Sequence, residues 1–110
     1  MHAPDRAELH AALHALRQAA EKVRSYDPGL VDEMLAAIAA NVKTLNAASG
    51  LRPDVEARRN RMVEECRVIE EAVARVKQYP EVIMARAVVL DHVAALGRQI
   101  RETMPLLGAL

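Results

Sequence analysis

The spacing of the prolines is the sequence feature that most limits what this chain can fold into. Pro4, Pro28, Pro53 and Pro80 fall at similar intervals along the 110 residues, and Pro105 closes the series. Proline is tolerated in the first turn of a helix and interrupts a helix at any later position. The sequence therefore predicts four helical segments of similar length, each with a proline at its start.

The apolar residues of each segment recur at steps of three and four, which is the spacing of one face of an α-helix. No stretch alternates with period two over a useful length, so strands are not expected. The stripes are broad, as in a globular bundle with coiled-coil-like seams. The four seams comprise Leu9, Leu13, Leu16, Ala20 and Val23; Val31, Leu35, Ile38, Val42 and Leu45; Val55, Met62, Cys66, Ile69, Val73 and Val76; and Val82, Val89, Val93, Leu96 and Ile100, the last widened by Ile83 and Leu90.

These signals predict one all-α domain over residues 1–110, folded as a four-helix antiparallel bundle. Short connections make successive helices antiparallel neighbours. Asp27 is the predicted N-cap of the second helix. Aromatic residues make up only 2% of the chain, so the core must consist of Leu, Val, Ile, Met and Ala. The predicted helices are 5–25, 30–48, 53–78 and 81–103, followed by an apolar tail at 105–110.

The junction at Pro80 also permits a second architecture. Because Tyr79, Pro80 and Glu81 include no glycine, the third and fourth segments could instead form one helix kinked at Pro80. A helical hairpin followed by such a long kinked helix would need a second chain, which gives an intertwined dimer. In either architecture Arg59 and Arg86 interrupt the apolar seams, and we expect them where the core opens to solvent or to a partner.

Charge and hydropathy indicate the cellular location of the chain and the kinds of partner it can have. Fifteen basic and fifteen acidic side chains give a formal net charge of zero, which does not favour nucleic acid as a partner. No apolar stretch approaches the ~20 residues that span a bilayer, and the first five residues lack the features of a signal peptide. We therefore expect a cytoplasmic protein that does not enter a membrane. Cys66 falls in an apolar seam and is predicted to be a buried, inert thiol.

The sequence offers no catalytic residues, no metal site and no cofactor-binding motif, so an enzyme is not expected. It has no glycine-rich phosphate loop, and its hydroxyl groups have no histidine placed beside them by sequence. His10 and His14 share a helical face, but they flank the first seam and lack a third ligand. Asp91 and His92 are predicted to form a pair on a polar helix face.

The densest basic patch is the first of two candidate partner-binding sites. One interpretation is a solvated helix face crossed by ion pairs, each worth a few tenths of a kcal/mol. The other is a surface that contacts phosphates or an acidic partner. The candidate residues are Arg58, Arg59 and Arg61.

The apolar tail is the second candidate. Three leucines in six residues are costly to leave in water, so the tail either docks on its own bundle or inserts into a neighbouring subunit or a partner's groove. The candidate residues are Leu106, Leu107 and Leu110.

These features favour a non-enzymatic, homo-oligomeric protein–protein interaction module that binds another protein. Adaptors, assembly factors and export-chaperone-like proteins share this helical outline, which is an analogy of architecture only. One alternative is a regulatory or nucleic-acid-associated module that uses the basic patch. The other is a helical bundle that binds a metal or a small ligand around His10 and His14.

Overall fold

Four α-helices and a short 3₁₀ turn make up the computed structural model, which describes residues 3–107. No strand occurs in this range, and the predicted all-α, four-helix antiparallel bundle is confirmed. The elements are α1 (Arg6–Lys22), α2 (Pro28–Ala47), α3 (Pro53–Gln78), α4 (Ile83–Thr103) and the C-terminal 3₁₀ turn (Met104–Leu107).

The helices form a ring in which each one packs against two neighbours. Helix α1 lies against α2 and α4, and α3 lies against the same two helices from the other side. The described residues measure 45 × 27 × 21 Å. The 26 residues of α3 span about 39 Å at 1.5 Å per residue, close to the long dimension of the bundle.

Aspartate side chains determine where the first two helices begin. Asp27 Oδ1 accepts hydrogen bonds from the backbone N–H of Gly29 (2.9 Å) and of Leu30 (3.4 Å), so the predicted cap is confirmed. Pro28 then occupies the first helical position, and α2 begins two residues earlier than predicted. Asp5 caps α1 in the same way and thus lies just outside that helix. Helix α1 ends at Lys22, three residues earlier than predicted.

The junction at Pro80 is a turn, so the third and fourth segments form a helical hairpin and not one kinked helix. Helix α3 ends at Gln78, and the Val82 N–H donates to the Tyr79 carbonyl (3.1 Å) across the turn. Because this turn contains Pro80 and Glu81, α4 begins at Ile83 and not at residue 81 as predicted. The continuous helix on which the intertwined dimer depends is absent.

The core contains aliphatic side chains from all four helices. The seams of the first three helices lie inside, with Leu35 and Val42 half-buried. The α4 seam is buried from Val89 onward, but the predicted core positions Val82 and Ile83 are exposed. Val82 precedes the first residue of α4. The helical spacing that placed Val82 in the α4 seam therefore does not apply to its side chain.

Cys66 lies inside the core with 1% of its surface exposed. Burial raises the pKa of its thiol to about 12 from an ordinary value of 9.0, and the nearby carboxylates of Glu70 and Glu65 add to this effect. The thiolate is the reactive form of cysteine. The Cys66 thiol is therefore protected from chemical modification both because reagents cannot reach it and because it remains protonated.

We predict that a thiol reagent such as 5,5′-dithiobis(2-nitrobenzoate) will label Cys66 slowly in the native protein at pH 8 and rapidly in 6 M guanidinium chloride. Because the folded state disfavours the thiolate, the free energy of unfolding should also fall as the pH rises above about 9, where the unfolded thiol ionises. Native labelling as fast as that of the unfolded chain would contradict the buried position.

Candidate protein-binding surface

Arg59 closes the C-terminal end of α2 and does not extend into solvent. Its Nη1 donates to the backbone carbonyls of Leu45 (2.8 Å) and Ala48 (3.0 Å), and its Nε donates to Asn60 Oδ1 (2.7 Å). The last carbonyls of a helix lack the regular intrahelical donors, and besides Arg59 the Leu45 carbonyl accepts from the Ala48 N–H (3.4 Å). Arg59 interrupts the α3 seam because it reaches these carbonyls.

The other arginines of the basic patch lie in different surroundings. Arg58 Nη1 is 3.6 Å from Glu102 Oε2 on α4, whereas Arg61 is exposed and makes no ion pair with any residue in 3–107. Arg59 is directed towards α2 and Arg58 towards α4. The sequence patch is thus divided, and of its three arginine side chains only that of Arg61 has no hydrogen-bond or ion-pair partner within residues 3–107.

The described part of the tail docks on the bundle of its own chain. Leu107 is buried, Leu106 is half-buried against the core, and the 3₁₀ turn contacts both α1 and α4. Arg52 Nη2 donates to the Leu106 carbonyl (3.4 Å). Leu110, the third leucine predicted to bind a partner, lies outside the described residues.

The histidines do not assemble a metal site. His10 is half-buried, His14 is exposed, and residues 3–107 contain no group of three metal-ligating side chains. Asp91 is exposed, as expected for a polar helix face, whereas His92 is half-buried and its Nδ1 lies 3.0 Å from Glu65 Oε1 on α3. This pair joins two helices.

The exposed large hydrophobic side chains are concentrated in one short stretch. Within the described range all five of them fall between residues 79 and 88, at the α3–α4 turn and the first turns of α4. Their exposed fractions are 50% for Tyr79, 45% for Val82, 77% for Ile83, 72% for Met84 and 45% for Val88. We call these five residues the turn surface.

Three members of the turn surface line a groove between α3 and α4, here called the α3–α4 groove. Its volume is about 280 Å³, which is below the usual size of an enclosed small-molecule site. Glu71, Arg75 and His92 contribute its polar groups. Such a groove can accept apolar side chains from another polypeptide. The apolar lining residues are Val68 and Ala72 of α3, together with Val82, Met84, Ala85 and Val88.

Helix α4 begins without the devices that start α1 and α2. Val82 occupies the N-cap position and has no side-chain acceptor, and the first turn holds no acidic residue. Good caps and first-turn acids each stabilise a helix by up to about 1 kcal/mol, and here exposed apolar residues stand in their place. Departures of this kind from local stability rules concentrate at functional sites.

The sequence does contain a signal for this surface that the predictions missed. Val82, Ile83 and Met84 are consecutive, and so are Val88, Val89 and Leu90. Successive helical residues point about 100° apart, so three in a row cannot all face one core. Such runs indicate that some of the side chains lie outside the seam.

A larger groove lies at the opposite end of the bundle, beside the start of α1, the α2–α3 connection and the 3₁₀ turn. Its volume is about 510 Å³. Two of its charged groups are already engaged, since Asp5 caps α1 and Arg52 contacts both Asp54 and the Leu106 carbonyl. Arg6 is the third charged residue of the lining. None of the exposed large hydrophobic side chains within residues 3–107 lines this groove.

No known protein family, curated protein or solved structure matches this chain. Within residues 3–107 no helix has the length and apolar character required to cross a membrane. What the protein does must therefore be inferred from its own surface chemistry.

We predict that Arg59→Met will lower the free energy of unfolding by about 1–3 kcal/mol, because the carbonyls of Leu45 and of the C-cap residue Ala48 lose a charged donor. Arg61→Met is the matched control, since it removes the same charge from an exposed position on the same helix, and it should cost less than about 0.5 kcal/mol. Urea denaturation followed by circular dichroism measures both values. Equal effects of the two substitutions would show that Arg59 does not cap α2.

Proposed function

We propose that this protein is a non-enzymatic protein–protein interaction module that binds through the turn surface and the α3–α4 groove. The observation that carries the proposal is the confinement of all five exposed large hydrophobics of residues 3–107 to the stretch from 79 to 88. Scattered exposed hydrophobics are normal on a soluble protein, whereas a concentrated set is typical of an association site. A cytoplasmic adaptor or assembly factor would have these properties.

The size of the apolar surface indicates how strongly it can bind. The five exposed fractions amount to nearly three fully exposed side chains, and burial of each is worth about 1.5–3 kcal/mol. The total, roughly 4–9 kcal/mol, competes with an association cost of about 4–15 kcal/mol. The turn surface on its own therefore supports reversible association and not a permanent complex.

The environments of the thiol, hydroxyl and imidazole groups described here also favour a binding function over catalysis. The Cys66 thiol is buried and protonated, and the Thr103 hydroxyl is buried and donates to the Gln99 carbonyl (2.7 Å). His92 and Glu65 could orient each other, but the groove beside them is lined by no hydroxyl or thiol. A catalytic pair of this kind needs a nucleophile within hydrogen-bond reach.

The basic patch is less favoured as a binding surface. Arg59 donates hydrogen bonds to carbonyls at the end of α2, and Arg58 lies beside Glu102. A phosphate would have to compete with these contacts. The Leu106 and Leu107 side chains are likewise engaged with the chain's own core. Within the described residues, by contrast, the side chains of the turn surface remain 45–77% exposed.

We predict that a photo-crosslinking amino acid at position 88 will form protein adducts in living cells, whereas one at exposed Ala39 on α2 will not. Val88 is 45% exposed in the groove, so a probe there lies against any bound polypeptide. Denaturing gels reveal the adducts as covalent mass increases.

The adducts at position 88 should disappear when Met84→Glu introduces a charge into the groove. Adducts that survive Met84→Glu, or that form equally from position 39, would contradict binding at this surface. The mass of the adduct also shows whether the partner is a second copy of the chain or a different protein.

A further inference from the structure

We infer that the occupant of the α3–α4 groove is a second copy of this chain, bound through a two-fold axis. The inference rests on the proposed function, since it identifies the partner of the same surface. In a two-fold interface the same patch serves both partners and must be complementary to itself. The charged residues that line the α3–α4 groove meet that condition, and the apolar area of the turn surface is large enough for a weak dimer.

The charged lining residues of the groove are self-complementary. Glu71 and Arg75 lie one helical turn apart on α3 and carry opposite charges. If two copies of α3 run antiparallel about an axis that passes between these residues, Glu71 of each copy lies beside Arg75 of the other.

The charge of Arg75 is available for such a contact. It makes no ion pair with any residue of the described range, while Glu71 already accepts from Arg67 through Oε1. A strongly acidic or basic partner would instead set one of the two groove charges against a like charge. The zero net charge of the whole chain also means that two copies do not repel each other.

The area of the turn surface is matched to a weak dimer. Its exposed apolar area is on the order of 500 Å² per copy, so a dimer would bury roughly 1,000 Å² in total, the lower limit for a specific interface. A second copy supplies an equal apolar area, and the two-fold arrangement removes both areas from water in the same interface. We therefore expect a dissociation constant on the order of 10 μM to 1 mM.

The chain's own docked tail cannot cover this surface. The groove lies at the N-terminal end of α4, whereas Leu106 and Leu107 follow its C-terminal end. The 21 residues of α4 separate the two by about 30 Å. The described part of the chain therefore leaves the turn surface uncovered.

The first test is sedimentation equilibrium from 10 μM to 2 mM on the full chain, on Met84→Glu and on Ala39→Glu. Met84 is 72% exposed and lies in the first turn of α4, where a carboxylate complements the helix dipole, so Met84→Glu should fold normally. The wild type and Ala39→Glu should dimerise reversibly, and Met84→Glu should dimerise at least tenfold more weakly. A wild type that remains monomeric at 2 mM, or a dimer unaffected by Met84→Glu, would overturn the inference.

A charge-reversal pair tests the two-fold arrangement itself. Arg75→Glu should weaken the dimer at least threefold, because it sets Glu71 of one copy against a second carboxylate. The double variant with Glu71→Arg and Arg75→Glu should recover the loss, since it rebuilds both reciprocal ion pairs with their signs exchanged. Only a homodimer compensates in this way, so a double variant as weak as Arg75→Glu would refute the proposed contact.

The two proposals can fail separately. If the wild type is monomeric in solution but the probe at position 88 yields an adduct with a different protein, the interaction function stands and the copy-to-copy inference is wrong. If the wild type is monomeric and position 88 yields no adduct, both are wrong.

Discussion

The absence of large aromatic rings from the core is the constraint on which the rest of this structure depends. The chain has no Phe and no Trp, and its two tyrosines lie outside the core, with Tyr26 half-buried and Tyr79 half exposed. Side chains of Val, Ala, Leu, Ile and Met must then fill the interior at ordinary density, which requires helix axes that approach closely. Four helices in a ring, each burying one stripe, satisfy this requirement. The same geometry leaves any apolar side chain outside a stripe in contact with water.

The helix ends explain why the exposed apolar side chains are concentrated where they are. Asp5 and Asp27 close the starts of α1 and α2, and Arg59 closes the end of α2 from a neighbouring helix. At the α3–α4 turn a guanidinium is also used internally, since Arg86 donates to the Pro80 carbonyl (3.2 Å) and its Cζ lies 5.8 Å from the centre of the Tyr26 ring. Within residues 3–107 nothing comparable covers Val82, Ile83 and Met84. Apolar residues thus occupy the start of α4, where polar capping residues would stabilise the helix more.

The fold could be predicted from the sequence because its determinants are local. Proline positions, the spacing of apolar residues and the Asp27 cap each act within a few residues, and together they define four helices and their antiparallel order. The start of α4 was misplaced because proline is equally compatible with a tight turn and with a first helical turn. The turn surface was missed although the consecutive apolar residues at 82–84 and 88–90 signal it. Contacts between distant residues could not be predicted at all. The bond from Arg59 to the α2 carbonyls and the pairing of His92 with Glu65 are examples, and neither leaves a periodic trace in the sequence.

Hydrogen exchange at two protein concentrations would test most directly whether the turn surface is where this protein associates. Peptides that cover residues 79–92 and peptides from α2 should be compared at 20 μM and at 1 mM by mass spectrometry. If the turn surface binds a second copy, exchange in 79–92 should slow at the higher concentration while exchange in α2 remains unchanged. Identical exchange at both concentrations, or slowing confined to α2, would contradict association through the turn surface.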